Sequence, residues 1–504
     1  MQPHLASALS LATVAALGCA GPVDVLLDGP KASGPVPSSQ QLAYQRNELI
    51  GFLHFGLETY DSTEHGDPAQ DSPNIFNPTD VDAAQWVQAF KDAGFGQVTL
   101  VAKHDPGFCL WPSKLTKYSA TAEYQDYTVQ SSPWQNGRGD VVGSFTKAAH
   151  DLDMRVGLYL SPWDVNFPST DTADYQAYFE GQLTELLQNY GRVDEILFDG
   201  FSAPTALDWQ GIAKLAHRLQ PEVLVWMGKE IFTADANLQY VGNEYGQGST
   251  TTSSVVESAN GDGGPANIWC PSEAPVSDRS SNPSNWFAGQ DWFWHASDTV
   301  MPLSQMQTVY FGTVGRNATL NFDVPPSSSG LQADSDQELL QQFGSWYRSL
   351  YASDLVQGQR ASADSIWANP GFGPSKAVDG NLATYWVAAE GTTSAYLEVD
   401  PASPITFDLI SIREPIELGE RVTAYHIELS QNGVWNTAPV DASGTQIQGT
   451  VIGQRQLWQL DETEADAIKL VIDSATDTPA IAELGVYSKR AVSEPPALDA
   501  GQGG

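Results

Sequence analysis

Short apolar runs recur through the first two-thirds of this chain, and between them apolar residues return at helical spacing. Eight runs read as strands: residues 50–57, 97–104, 155–161, 195–199, 223–228, 238–244, 266–270 and 319–324. A short run that is apolar at nearly every position fits a strand covered on both faces. Val81, Ala84, Val87 and Phe90 share one face of a predicted helix, with Asp80 as its cap and Gly94 as its terminator. Val142, Phe145, Ala149 and Leu152 line the next, and Tyr175, Phe179, Leu183, Leu186 and Tyr190 a longer one stopped by Gly191. Trp209, Ile212, Leu215 and Leu219 form another, and Met306, Val309 and Thr313 precede the last strand. Alternating β and α segments predict an α/β fold, a (β/α)8 TIM-like barrel, over residues 41–354. The Ser-, Asn- and Gly-rich stretch 245–300 is too long for an ordinary connection and is expected to build a binding site.

Beyond about residue 355 the period changes to two. Runs such as Tyr396-Leu397-Glu398-Val399 and Ile468-Lys469-Leu470-Val471-Ile472, separated by polar turns, predict an all-β sandwich over 355–490. Residues 21–40 have the Gly, Pro and Ser content of a linker, and 491–504 that of a disordered tail.

Composition narrows the function. A net charge of −37 over 504 residues argues against nucleic acid and anionic membrane surfaces, which need clustered Lys and Arg. Residues 5–16 are apolar and lead to small residues before a possible cleavage site after Ala20, so 1–20 reads as a signal peptide and the protein as secreted. Cys109 and Cys270 lie too far apart for a disulfide framework and read as buried thiols.

In such a barrel the chemistry collects at the C-terminal strand ends. Two of the runs end in an acid, at Asp199 and Glu244, and others bring up His54, Glu64, His65, His104, Asp105, Tyr159, Trp163, Trp269 and Glu273. Carboxylates, histidines and tryptophans on one face make a sugar site, with aromatic faces for the ring and polar groups for hydroxyls. No phosphate loop or HExxH motif is present, and His54, His104 and Asp105 read as hydroxyl ligands, so neither metal nor cofactor is expected. Glycoside hydrolysis needs two carboxyl groups, and Asp199 with Glu244 is the first choice. Glu64 and Glu273 remain rivals that spacing does not eliminate.

The stretches HFGLETYDSTEHGD (54–67), AKHDPGFCLWPSK (102–114), VGLYLSPWDVN (156–166), ILFDG (196–200), VGNEYG (241–246) and TVGRNATL (313–320) together resemble the α-L-fucosidases of glycoside hydrolase family 29. The resemblance implies a retaining enzyme acting on fucosylated glycans, with Asp199 as nucleophile. The VGNE stretch is similar to the α-1,3/1,4-specific subgroup, which implies Glu244 as acid/base. His54, Glu64, His104, Trp163, His65, Tyr159 and Trp269 map to sugar-binding positions. The chain departs from the family where Asp105 replaces a His of KHHDGF, and where Leu197 and His65 stand in place of Trp. Asp105 is expected to accept sugar hydroxyls and to raise the pKa of a nearby carboxyl. An α-1,2-acting or broad fucosidase, or a non-catalytic sugar binder, are the alternatives. Lys376-Ala377-Val378-Asp379-Gly380-Asn381 and Thr384-Tyr385-Trp386 resemble a discoidin-like sandwich. Asn317-Ala318-Thr319 is an N-glycosylation sequon where burial is expected to prevent modification.

Overall fold

The computed structural model describes residues 29–488 except 62, 68–69, 117–126, 168, 243 and 258–266. The expected signal peptide, the first part of the expected linker and the expected tail lie outside the described residues.

Eight parallel strands close into a barrel: β1 Leu49–Leu53, β2 Gln97–Lys103, β3 Arg155–Leu160, β4 Glu195–Phe198, β5 Leu224–Met227, β6 Leu238–Tyr240, β7 Ser272–Ser277 and β8 Ala318–Asp323. Strand alternation divides their apolar residues between two cores. Phe52, Val101, Tyr159, Leu197, Trp226 and Leu238 pack inside the barrel. Leu53, Leu100, Val156, Leu158 and Ile196 pack outward with the helices. The first outer helix, Ala83–Ala93, is capped by Asp82, whose side chain accepts from the Ala84 and Gln85 N–H groups. The expected cap Asp80 lies upstream, where its N–H donates to the Ser329 carbonyl. Gly94 ends the helix in the left-handed region at φ 96°.

The seventh strand is not where the apolar run suggested. Asn267–Trp269 pairs antiparallel with Val255–Glu257 in a hairpin, and the barrel strand is Ser272–Ser277. Its inward residues, Glu273 and Pro275, line a polar cavity, which leaves only small Ala274 and Val276 to face the outer core. The stretch 245–300 therefore contains a barrel strand, together with a three-stranded sheet of Arg279–Ser280, Gln290–Asp291 and Thr299–Val300.

A helix, Ser39–Asn47, starts inside the expected linker with a capping box between Ser38 and Gln41. It closes the N-terminal end of the barrel: Gln41 donates to the Asn237 and Trp269 carbonyls just before β6 and β7, and Tyr44 reaches the Glu273 carboxylate inside.

The C-terminal domain is a β-sandwich. One sheet orders Arg360–Ala363, Ala395–Asp400, Ala467–Ala475, Val422–Gln431 and Val434–Asn436. The facing one orders Gln456–Ala465, Ile405–Arg413 and Glu483–Tyr487. Trp386, Leu397, Phe407, Ile410, Ile427 and Leu470 fill the space between them.

Barrel and sandwich meet across a polar seam. Buried Glu48, just before β1, lies 2.8 Å from both Arg413 and Arg455 of the sandwich. Asn317 of the sequon is 4 % exposed there. Its amide donates to the Thr252 carbonyl and the Glu420 carboxylate and accepts from the Gln454 N–H. Cys109 and Cys270 are free, buried thiols. Among the described residues no helix is long and apolar enough to cross a membrane.

Candidate active site

The C-terminal ends of the strands surround a cavity of about 500 Å³. Its floor is Phe52, Leu197, Trp226, Glu273 and Asn321, and its walls carry His54, His104, Asp105, Tyr159, Asp199, Tyr240 and Trp292. Glu64, His65, Phe201 and Glu244, with Gly228, Lys229, Glu230 and Pro275, complete the lining.

Asp199 follows the last residue of β4. Its Oδ1 accepts the Phe201 N–H at 3.0 Å and its Oδ2 accepts the Tyr159 hydroxyl at 3.2 Å, which fixes the plane of the carboxylate. Burial, with a further push from Asp105, raises its pKa; the two hydrogen bonds and His104 oppose that rise. The turn behind it is tight. A Cβ on Gly228 would lie 2.0 Å from the Gly200 nitrogen, and one on Gly200 would lie 2.1 Å from a Glu230 oxygen. These glycines let the loops after β4 and β5 touch.

Glu244 sits in the loop after β6, in the left-handed region at φ 63° between Gly242 and Gly246, both also at positive φ. Gln290 donates to its carbonyl at 3.2 Å. The side chain keeps contact with solvent, yet the surrounding protein and the negative charges of Asp199 and Glu64 push its pKa up to about 7. Asp199 and Glu244 thus face one cavity and feel each other's charge.

The histidines have opposite characters. His54 Nδ1 lies 2.9 Å from Asp323 Oδ1, and burial together with His104 holds its pKa well below the ordinary value. His104 Nδ1 lies 2.9 Å from Glu58 Oε1. Burial would lower its pKa, but Asp105, Glu58 and Glu64 outweigh that and raise it to about 9, so His104 is a cation at neutral pH. Asp105 is not an open hydroxyl acceptor, because Ser161 Oγ donates to its Oδ1 at 2.6 Å and His65 Nδ1 lies 2.9 Å from its Oδ2. Burial would raise its pKa, but His104, His65 and Ser161 hold it down, and Asp105 acts on the pocket through its charge.

Glu273 does not compete with Asp199 and Glu244 as a free carboxylate. Its oxygens are taken by Tyr44 and by Asn321 at 2.7 Å, deep in the barrel, and its carboxyl is paired with that of Glu195. Trp269 is absent from the pocket. It precedes β7, near the opposite end of the barrel, where its Nε1 donates to Gln45 at 2.9 Å. The apolar run 266–270 begins six residues ahead of the barrel strand Ser272–Ser277, which is why strand-end position places Trp269 on the wrong face. Trp163 stands behind the wall, its ring 5.9 Å from that of His65 and 5.8 Å from that of Phe201.

Sequence reading passed over Glu58, which has no pattern to mark it because it acts through His104. Trp292, from the aromatic segment 292–295 that the sequence places near the active face, does line the cavity, with its ring 5.2 Å from that of His54. Among the described residues one trio of potential metal ligands comes together, Asp291, His295 and Asp298. They are already bonded to Ser281, Glu58 and one another.

A model of the α-L-fucosidase family matches residues 54–350. The chain belongs to the α-L-fucosidases. It is a glycoside hydrolase of family 29, and a model of the F5/8 type C domain matches residues 360–484 of its sandwich. The fucosidase is 35 % identical over 473 residues to α-L-fucosidase 1 of Arabidopsis thaliana, covering 90 % of this chain and 87 % of that one. A Ruminococcus gnavus family 29 fucosidase solved in complex with fucose superposes with a TM-score of 0.79 at 28 % identity, covering 92 % of this chain and 96 % of the other. The structure of SpGH29 gives 0.78 at 31 %, covering 91 % and 99 %.

Proposed function

We propose that this fucosidase removes terminal α-1,3/1,4-linked fucose from oligosaccharides or glycoconjugates with retention of configuration. Asp199 is the nucleophile and Glu244 the acid/base. The observation that carries the reading is the unequal treatment of two carboxyls in one cavity. Asp199 is fixed by two donors, as an attacking carboxylate has to be. Among the described residues no group bonds the Glu244 carboxyl, and it holds its proton to about pH 7, as a general acid has to do.

In the first step Asp199 attacks the anomeric carbon while Glu244 gives its proton to the glycosidic oxygen, and the remaining glycan leaves. In the second, Glu244 takes a proton from water, which displaces Asp199 and releases fucose with its original configuration. Neutral His54 and cationic His104 are placed to bond fucose hydroxyls, with Glu64 and Tyr159 beside them, and Phe52, Leu197 and Trp292 offer apolar surface. The fucose held by the R. gnavus relative supports such a pocket. Residues 5–16 support export from the cell.

Hydrolysis of linkage-defined fucosides followed by NMR tests the reading. The first-formed fucose should be the α-anomer, and α-1,3/1,4 substrates should be preferred over α-1,2. Asp199→Gly should lower turnover on the order of a thousandfold or more, and azide should rescue it as the β-fucosyl azide. First-formed β-fucose, or an Asp199→Gly enzyme of ordinary rate, would sink it.

A further inference from the structure

We propose that Phe201 is the platform on which the sugar next to the scissile bond rests, so that it selects the leaving group rather than fucose. The inference builds on the glycosidase reading and concerns the outer part of the same cavity.

The apolar residues of the pocket fall into two groups by depth. Phe52, Leu197 and Trp226 are 3–5 % exposed and belong to the barrel core. Phe201 lines the same cavity yet is 52 % exposed, the second most exposed of the large hydrophobics among the described residues. An apolar ring left open to water beside a polar pocket marks a contact surface. Its pose is built. The ring stacks on His65 at a centroid separation of 4.6 Å and an interplanar angle of 21°, and Trp163 supports it edge-on at 5.8 Å. His65 is in turn tied to Asp105 at 2.9 Å. The outer face of Phe201 is therefore held in a fixed orientation two residues from Asp199, and its own N–H bonds that carboxylate.

A fucosyl unit whose anomeric carbon reaches Asp199 occupies the deep part of the cavity, so the group across the glycosidic oxygen must occupy the rim. There a flat ring meets the C–H face of a pyranose well. Tyr245, 44 % exposed, follows Glu244 in the chain and packs on Phe287 at 4.6 Å. Both aromatic residues thus sit next in the chain, or next but one, to the two reacting carboxyls.

The test compares kcat/KM on two substrates. α-L-fucosyl fluoride has no leaving sugar, and an α-1,3/1,4-fucosylated trisaccharide has one. In Phe201→Ala the ratio of trisaccharide to fluoride efficiency should fall about tenfold, mostly through KM, and Phe201→Trp should restore it. An equal loss on both substrates would overturn the platform and assign Phe201 to fucose or to Asp199. An unchanged ratio would overturn it as well. Wild-type enzyme inert on fucosyl fluoride would overturn the fucosidase mechanism itself, and the platform with it.

Discussion

Replacing Glu64 by Gln should move the alkaline limb of the pH–rate profile to lower pH. In the acid role proposed for it, Glu244 has to be protonated to serve the leaving oxygen. Burial is the main cause of its pKa of about 7, followed by the charges of Asp199 and Glu64, while His65 pulls the other way. Glutamine keeps the size of Glu64 and removes its charge. Without that neighbour the ionised form of Glu244 is less unfavourable, so its proton leaves at lower pH. Glu64 is exposed, so solvent screens the coupling to about 0.2–1 kcal/mol, which corresponds to a shift of about 0.1–0.7 pH unit. His65→Asn removes the opposing charge and should move the limb upward. The assay is kcat/KM against pH at constant ionic strength, which reports the free enzyme. Wild-type efficiency should fall about tenfold per pH unit above 7. Both variants alter the pocket wall, so the position of the limb is read and not its height. A limb that stays put or rises in Glu64→Gln would refute the assignment of Glu244 as the titrating acid.

Two further outcomes follow from close contacts. Gly228→Ala places a Cβ 2.0 Å from the Gly200 nitrogen and 3.0 Å from the Asp199 carbonyl carbon; shifting Asp199 in this way should cost about a hundredfold in kcat, with the far-UV circular dichroism of the barrel retained. Glu48→Ala strands Arg413 and Arg455 in the seam without their shared anion, which should destabilise the protein by about 3–5 kcal/mol in guanidinium unfolding, with Glu48→Gln in between.

The barrel was legible wherever both faces of a strand are apolar, as in β1 and β5, whose every residue is buried. It was illegible at β7, because the inward side of that strand belongs to the pocket. Glu273 and Pro275 break the hydrophobic run for the same reason that they line a site. The error then propagated, since Trp269 was assigned to the active face by its place relative to the wrong strand. Residues that touch the cavity at strand ends, such as His54, His104 and Asp199, could be found by position. Glu58 and Asp323 could not, because they act by holding a histidine from behind. The commitment of Asp105 to Ser161 and His65 was equally hidden, since it depends on three strand ends meeting.

The sequon at the seam sets a race. Oligosaccharyl transfer acts on extended chain as it emerges, before β8 and the sandwich have met. In a host with that machinery, a glycan joined to Asn317 would take the nitrogen that bonds the Thr252 carbonyl and Glu420, at a site that is only 4 % exposed. The two halves would then be kept from docking by a modification the finished protein is too closed to receive. The order of events during synthesis would then matter in a glycosylating host and not in one without that machinery.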